Sequence, residues 1–206
     1  MKTYKDVITL NRNSRGCYII DTVKGCTAGT LHGGRGCYGD CYAKNIADRY
    51  GFDFLGVTTR KFEEKTDQTY LFGFKDEDHK NGILRAIRAA DMPFVRIGEM
   101  GDPSYDWDNT IDVCNEISAA GKPIVIITKH WKPIPERRLV ELKDLSGLCI
   151  NTSASALDTD EQTAYRLEQF GRLKPFCNSV LRIVSCEFNA DNEEGARRAV
   201  VQERLF

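Results

Sequence analysis

"PFVRIGEMGDPSYDWDNTIDVCNEISAAGKPIVIITKHW" (93–131) decides how this chain is read. It opens on a short β-branched run after Pro93 and closes on "KPIVIITKHW" (122–131), a nearly continuous apolar run. Between them, "NTIDVCNEISAAG" (109–121) sets Ile111, Cys114, Ile117 and Ser118 at helical spacing and ends in Gly121, a helix-stop signal. The pattern is strand, helix, strand with short joints. A strand that is apolar along its whole length is buried on both faces, which predicts a parallel sheet covered by helices.

The alternation continues outward in both directions. Toward the C-terminus, "IPERRLVELKDLSG" (134–147) reads as a helix, "GLCINTSASALD" (147–158) as a strand running into a hydroxyl-rich loop, and "TDEQTAYRLEQFGRL" (159–173) as a helix. Thr159 followed by Gln162 is a capping-box pair. "NSVLRIVSCEFN" (178–189) reads as a strand and "EEGARRAVVQERLF" (193–206) as a closing helix. Toward the N-terminus, "CYIIDTV" (17–23) is a strand, "YAKNIADRYG" (42–51) a helix stopped by Gly51, and "NGILRAIRAAD" (81–91) a helix. Residues 52–81 break the rhythm. They are polar, carry Tyr70, Phe72 and Phe74, and read as an insertion or flap over the site. About five βα units result, in one domain spanning 1–206. A complete eight-unit barrel takes about 250 residues. Five units suit either an open partial barrel or a doubly wound sheet, and in both the site lies at the C-terminal strand ends.

Composition narrows the class. Hydrophobic residues are 41% and charged residues 29%, a balance that excludes a disordered chain. Net charge is −1, so no global positive field points to nucleic acid, although a local basic groove stays open. The first residues lack the apolar core of a signal peptide, and no apolar run nears the roughly 18–20 residues of a membrane span. The expectation is a soluble, cytoplasmic protein.

Eight cysteines are many for a reducing compartment, where clustered thiols bind metal or do chemistry more often than they form disulfides. Cys114, Cys149 and Cys186 lie inside apolar patterns and read as small buried hydrophobes. The stretch "CTAGTLHGGRGCYGDC" (26–41) differs: three cysteines and five glycines fall in sixteen residues, directly after the first strand. The later strand ends are also polar: "GEMGDPS" (98–104), "TKHW" (128–131), "NTSAS" (151–155) and "SCEFN" (185–189). The opposite ends read as plain turns, so one rim carries the ligand-binding groups. Ten residues separate Cys26 from Cys37 and three separate Cys37 from Cys41. A closed zinc site would want four ligands, typically in two close pairs. Three thiolates suit a [4Fe–4S] cluster with one iron left open, and the glycines let backbone fold closely around it.

On Cys26, Cys37 and Cys41 after the first strand, and on Gly98 and Glu99 after the second, the chain resembles the radical S-adenosylmethionine superfamily. "GCYGDCYAKNIADRYG" (36–51) also looks like a group of phage and bacterial proteins placed near it. The resemblance covers about residues 17–189. It implies an α/β fold that is a partial (βα)5–6 barrel, open and TIM-like, with a mostly parallel sheet. It implies a [4Fe–4S] cluster on the three cysteines and S-adenosylmethionine at the open iron, its ammonium on Glu99 beside Gly98. An electron donor such as flavodoxin or ferredoxin is the partner this chemistry needs.

Other rim residues receive roles from their chemistry. Lys129 is expected to meet a carboxylate, and His130 to carry a proton. Asn151, Ser153 and Ser155 offer an amide and hydroxyls to the cofactor. Arg182, alternating with Val180 and Val184, faces the barrel interior with Glu187 or a cofactor carboxylate as its partner. Asp102 is a weaker candidate that equally suits a helix cap. The substrate expected from the phage-like resemblance is a nucleotide or modified nucleic-acid base. The alternative is a zinc-bearing nucleic-acid-binding module that uses the cysteine loop and "KHWK" (129–132) as its surface.

Overall fold

The computed structural model describes residues 1–5, 7–62, 69–70, 73–189 and 191–206. Two strands start the main sheet, β1 (Leu10–Arg12) and β2 (Tyr18–Ile20). A 3₁₀ turn, Thr27–Thr30, leads into the short kinked α1 (Leu31–Gly34) and then α2 (Tyr42–Tyr50). The strands β3 (Lys61–Phe62) and β4 (Thr69–Tyr70) form a separate antiparallel pair. The regular alternation follows: α3 (Glu77–Ala89), β5 (Val95–Ile97), α4 (Trp107–Ala119), β6 (Ile124–Thr128), α5 (Glu136–Leu139), β7 (Leu148–Ala154), α6 (Asp160–Leu173), β8 (Asn178–Ile183) and α7 (Glu193–Leu205).

The main sheet has six strands in the order β1-β2-β5-β6-β7-β8. Only β1 runs antiparallel, against β2; every other pairing is parallel. The parallel strands are laid down in chain order without a reversal, whereas a doubly wound sheet has one. Right-handed crossovers in one direction put the connecting helices on one face. Ile20, Val95, Ile97, Ile124, Ile126, Leu148 and Ile150 accordingly turn to that side. They pack with Ile83, Leu84 and Ile87 of α3, Ile111 and Ile117 of α4, and Leu173 of α6. The alternate positions, Arg96, Val125, Ile127, Cys149, Asn151, Val180 and Arg182, turn to the other face and are half-buried or exposed. Two faces follow from one period-two pattern.

Local signals explain the element ends. Thr159 and Gln162 form the expected reciprocal capping box on α6. Gly51 and Gly121, both at positive φ, stop α2 and α4. α3 begins earlier than its apolar pattern, because Asp76 caps the amide of His79 and Glu77 and Asp78 fill a polar first turn. The 134–147 stretch is not one helix: α5 is four residues long and continues as a 3₁₀ turn, Val140–Asp144. Leu139, Leu142 and Leu145 are buried every third residue, the 3₁₀ period. The strand expected over 178–189 ends at Ile183, and β1 lies in a stretch that gave no strand signal.

Residues 52–58, the start of the expected insertion, pack under the cysteine loop. The Phe54 carbonyl accepts the Cys26 amide at 2.7 Å, and Lys24 bridges Thr58. Phe74 packs on the core. Phe72 and residues 63–68, on which much of the flap reading rested, lie outside the described residues. Among those described, no helix is long and apolar enough to cross a membrane.

Candidate functional site

The C-terminal strand ends surround a cavity of about 330 Å³. Cys26, Cys37 and Cys41 line it from the loop after β2, and Gly98, Glu99 and Asp102 line it from the loop after β5. Lys129 and Trp131 follow β6, while Ser153 and Arg182 come from β7 and β8. Part of the polar rim read from sequence shares this wall; His130, Asn151, Ser155 and Glu187 are not among the residues lining it.

The cysteine loop is folded by its own backbone. Cys41 donates its amide to the Arg35 carbonyl at 2.9 Å and Gly39 to Gly36 at 3.1 Å, which doubles the chain back between Cys37 and Cys41. Gly36 is required there. Its φ is +82°, and a Cβ would fall 2.4 Å from that of Cys41. The loop is tied to its neighbour by Gly25, whose amide donates to the Met100 carbonyl at 2.8 Å. The partner, Gly101, sits so close that a Cβ would lie 2.5 Å from the Val23 carbonyl oxygen. The Cys26 thiol donates to the Tyr105 hydroxyl at 3.7 Å, and that hydroxyl shares a 2.6 Å hydrogen bond with Thr27.

Burial pushes the Cys26 thiol up to about 12, aided by the charge of Asp102 and opposed by the Tyr105 contact. Burial likewise pushes Cys37 up to about 11, with Lys129 acting against it. Without a cation these two thiols stay protonated at neutral pH. Cys37 opposes ionisation of Cys26, and Cys41 that of Cys37, so the three stand within electrostatic reach of one another. Among the described residues no three His, Cys, Asp or Glu side chains already surround a point that one metal ion would fill. Ligands of a cluster bind different irons and need not converge on one point. Three thiols spread over the wall of one cavity fit that larger group.

The two carboxylates after β5 differ. Asp102 is saturated: it accepts from the Ser104 amide (2.9 Å) and hydroxyl (2.7 Å), the Thr128 hydroxyl (2.6 Å) and the Lys129 amide (2.7 Å). It caps the turn Pro103–Asp106 and pins β6 to it. The Glu99 carboxylate makes no hydrogen bond or ion pair among the described residues. Its backbone is held instead: Asp21 Oδ1 accepts the amides of Glu99 at 2.6 Å and Met100 at 2.9 Å, and the Tyr42 hydroxyl donates to the Glu99 carbonyl at 2.8 Å. Burial raises the Asp21 pKa against those two amides, and its Oδ2 is buried without a partner.

The carboxylate that Lys129 meets is the chain's own Asp158. The Lys129 Nζ lies 2.6 Å from Asp158 Oδ1 and 4.3 Å from the centre of the Tyr38 ring. Arg166 grips the same carboxylate through two nitrogens at 3.0 Å. All three side chains are buried. Burial lowers the Lys129 pKa; burial alone would raise that of Asp158, but Arg166 and Lys129 hold it below the usual carboxylate range.

His130 is brought elsewhere. It is fully buried, turns away from the cavity, bonds Thr152 through Nε2 at 3.0 Å and packs on Trp107. Burial lowers its pKa to about 4, so the ring is neutral. Asn151 points to the open face but does not line the cavity, and its side chain accepts from Cys149 at 3.5 Å. Ser155 is buried beside Lys129 Nζ at 3.4 Å, and Glu187 is exposed beyond the end of β8. Arg182 and Glu187 form no ion pair among the described residues. Of the eight cysteines, Cys114 is fully buried as expected, while Cys149 and Cys186 are only partly so. The sequence reading did not single out Arg96, Asp21, Tyr38 or Asp158. Arg96 left a signal, a charge between Val95 and Ile97 in a strand; the others left none.

Searches of family models, curated proteins and solved structures find no match to this chain.

Proposed function

We propose that this chain is a radical S-adenosylmethionine enzyme on a partial (βα)5–6 barrel, with Cys26, Cys37 and Cys41 holding a [4Fe–4S] cluster. The observation that carries the reading is the meeting of three thiols and the unpartnered Glu99 carboxylate on one cavity at the C-terminal sheet edge. Parallel strands in chain order, with helices packed on one side, are what an arc of a (βα) barrel requires. Gly36 gives the loop the close turn that brings Cys37 and Cys41 together.

When bound and reduced, a cluster held by Cys26, Cys37 and Cys41 would supply the electron for cleaving S-adenosylmethionine to a 5′-deoxyadenosyl radical able to take hydrogen from a substrate. The chain supplies binding and orientation. Glu99 accepts the cofactor ammonium, and Asp21 fixes the backbone that presents Glu99. Tyr38 and Trp131 give the cavity apolar walls that exclude water. A flavodoxin or ferredoxin is the expected electron donor, and a nucleotide or nucleic-acid base the expected substrate.

Anaerobic reconstitution with iron and sulfide tests this. The expected product is a brown protein with about four irons and four sulfides per chain. With dithionite and S-adenosylmethionine it should release 5′-deoxyadenosine, and Cys41→Ala should abolish that release. Equal turnover by both proteins would remove Cys41 from the ligand set. A colourless protein that releases zinc would overturn the reading in favour of a zinc-bearing module.

A further inference from the structure

The polar groups around the cavity divide into engaged and unengaged. Asp102 is saturated, Lys129 is locked to Asp158, and Asp40 accepts from Asn45 at 2.7 Å. Among the described residues, three donors on the strands are left over. Arg182 makes no hydrogen bond or ion pair among the described residues. Arg96 spends only Nε, on the Gly98 carbonyl at 3.1 Å, and keeps both terminal nitrogens. Ser153 Oγ is buried and has no bonded partner of normal geometry, although the Tyr38 hydroxyl approaches it.

The sheet register puts these three on one face. Ser153 pairs with Arg182 across β7 and β8, so their side chains leave the same face at the same level. Arg96 on β5 leaves that face too, level through Val125 with Cys149, four residues before Ser153, and its Nε bond to the Gly98 carbonyl turns it toward the rim. All three line the cavity. Two open guanidinium forks and a spare hydroxyl suit an oxyanion with several oxygens, because each fork takes two oxygens in a fixed plane. Among the described residues, Glu99 is the acid on this wall without a partner.

We infer that Arg96, Arg182 and Ser153 form a subsite for a phosphate group of the substrate. This deepens the proposed function by naming the substrate class, and it moves Arg182 and Ser153 from cofactor to substrate. The phosphate belongs either to a free nucleotide or to the backbone of a nucleic-acid strand; the chemistry at the forks is the same.

The test is equilibrium binding at fixed ionic strength to the full chain without iron. The probes are inorganic phosphate, AMP and a short single-stranded DNA. The proteins are wild type, Arg96→Gln, Arg182→Gln, the double variant and Arg182→Lys. Each glutamine variant should weaken binding about tenfold, as loss of a charge-assisted contact does, and lysine should restore only part because it lacks the fork. Binding of phosphate and AMP with this arginine dependence supports the inference with a nucleotide as the source. Arginine-dependent binding of DNA alone supports it with the strand as the source. No binding, or equal binding by wild type and double variant, overturns it. So does full displacement of phosphate by S-adenosylmethionine, which would give the forks to the cofactor carboxylate. Iron and sulfide uptake is measured separately. Uptake without phosphate binding defeats this inference alone, and phosphate binding without uptake defeats the proposed function alone.

Discussion

The two faces of the main sheet are built from the same strands and behave as opposites. On the helix side Ile97, Ile124, Ile126 and Ile150 are fully buried in one apolar core. On the open side their immediate neighbours are Arg96, Val125, Ile127 and Asn151, all partly exposed. One residue of shift exchanges the roles, since strand side chains alternate. The difference teaches that the helix face holds the fold, while the open face carries the cavity and its unengaged polar groups. The rim is where the two meet, and there Lys129, Asp158 and Arg166 are buried as one ion-paired group.

That contrast is sharpest at the rim. Asp158→Ala would leave the Lys129 and Arg166 charges buried without their carboxylate, a loss of roughly 3–5 kcal/mol. Urea unfolding would measure it, and an unchanged midpoint would show that water already reaches the triad. Next come paired truncations of one strand. Ile126→Ala, under the helices, should lose about 2–5 kcal/mol, whereas Val125→Ala on the open face should lose much less. Equal losses would erase the distinction between the faces.

A pH series isolates His130. Its folded pKa, about 4, lies below that of the unfolded chain, so the unfolded state takes up a proton first as pH falls. Its stabilising contribution is full above about pH 6.5 and is lost as pH drops toward 4, by on the order of 3 kcal/mol. Replacing His130 by Asn should flatten the urea midpoint over that window; an unaltered slope would assign it to other groups. Gly36→Ala should cost about 1–2 kcal/mol for a Cβ at positive φ, with a further loss from its overlap with the Cys41 Cβ. Its larger effect should be on iron uptake, because the new methyl displaces Cys41. Normal uptake would mean that the loop reshapes freely on binding.

Much of this was legible in the chain and some was not, for identifiable reasons. The five βα units, the Thr159 cap and the glycine stops were readable because each depends on neighbours in sequence. The polar rim was readable because each parallel strand has only one C-terminal end. Which rim residues face the cavity was not. Thr128, Lys129 and Trp131 line the cavity while His130 between them does not, because the chain leaves the strand after Thr128 and His130 takes a positive φ of 51°. Ser155 and Glu187 lie past the strand ends, where alternation no longer holds. Asp158 and Arg166 gave no sign of pairing with Lys129, because their meeting depends on how α6 packs against β7 and β8.

By itself, then, the sequence determined the order of elements, the rim on which chemistry collects and the three cysteines in a glycine-rich turn, since these rest on local propensity and spacing. The tertiary structure alone decided which thiols, carboxylates and guanidiniums share one cavity and which are already satisfied. Hydrogen bonds such as Asp21 to Glu99 and Asp158 to Arg166 join groups brought together by the fold, and desolvation acts only once they are buried.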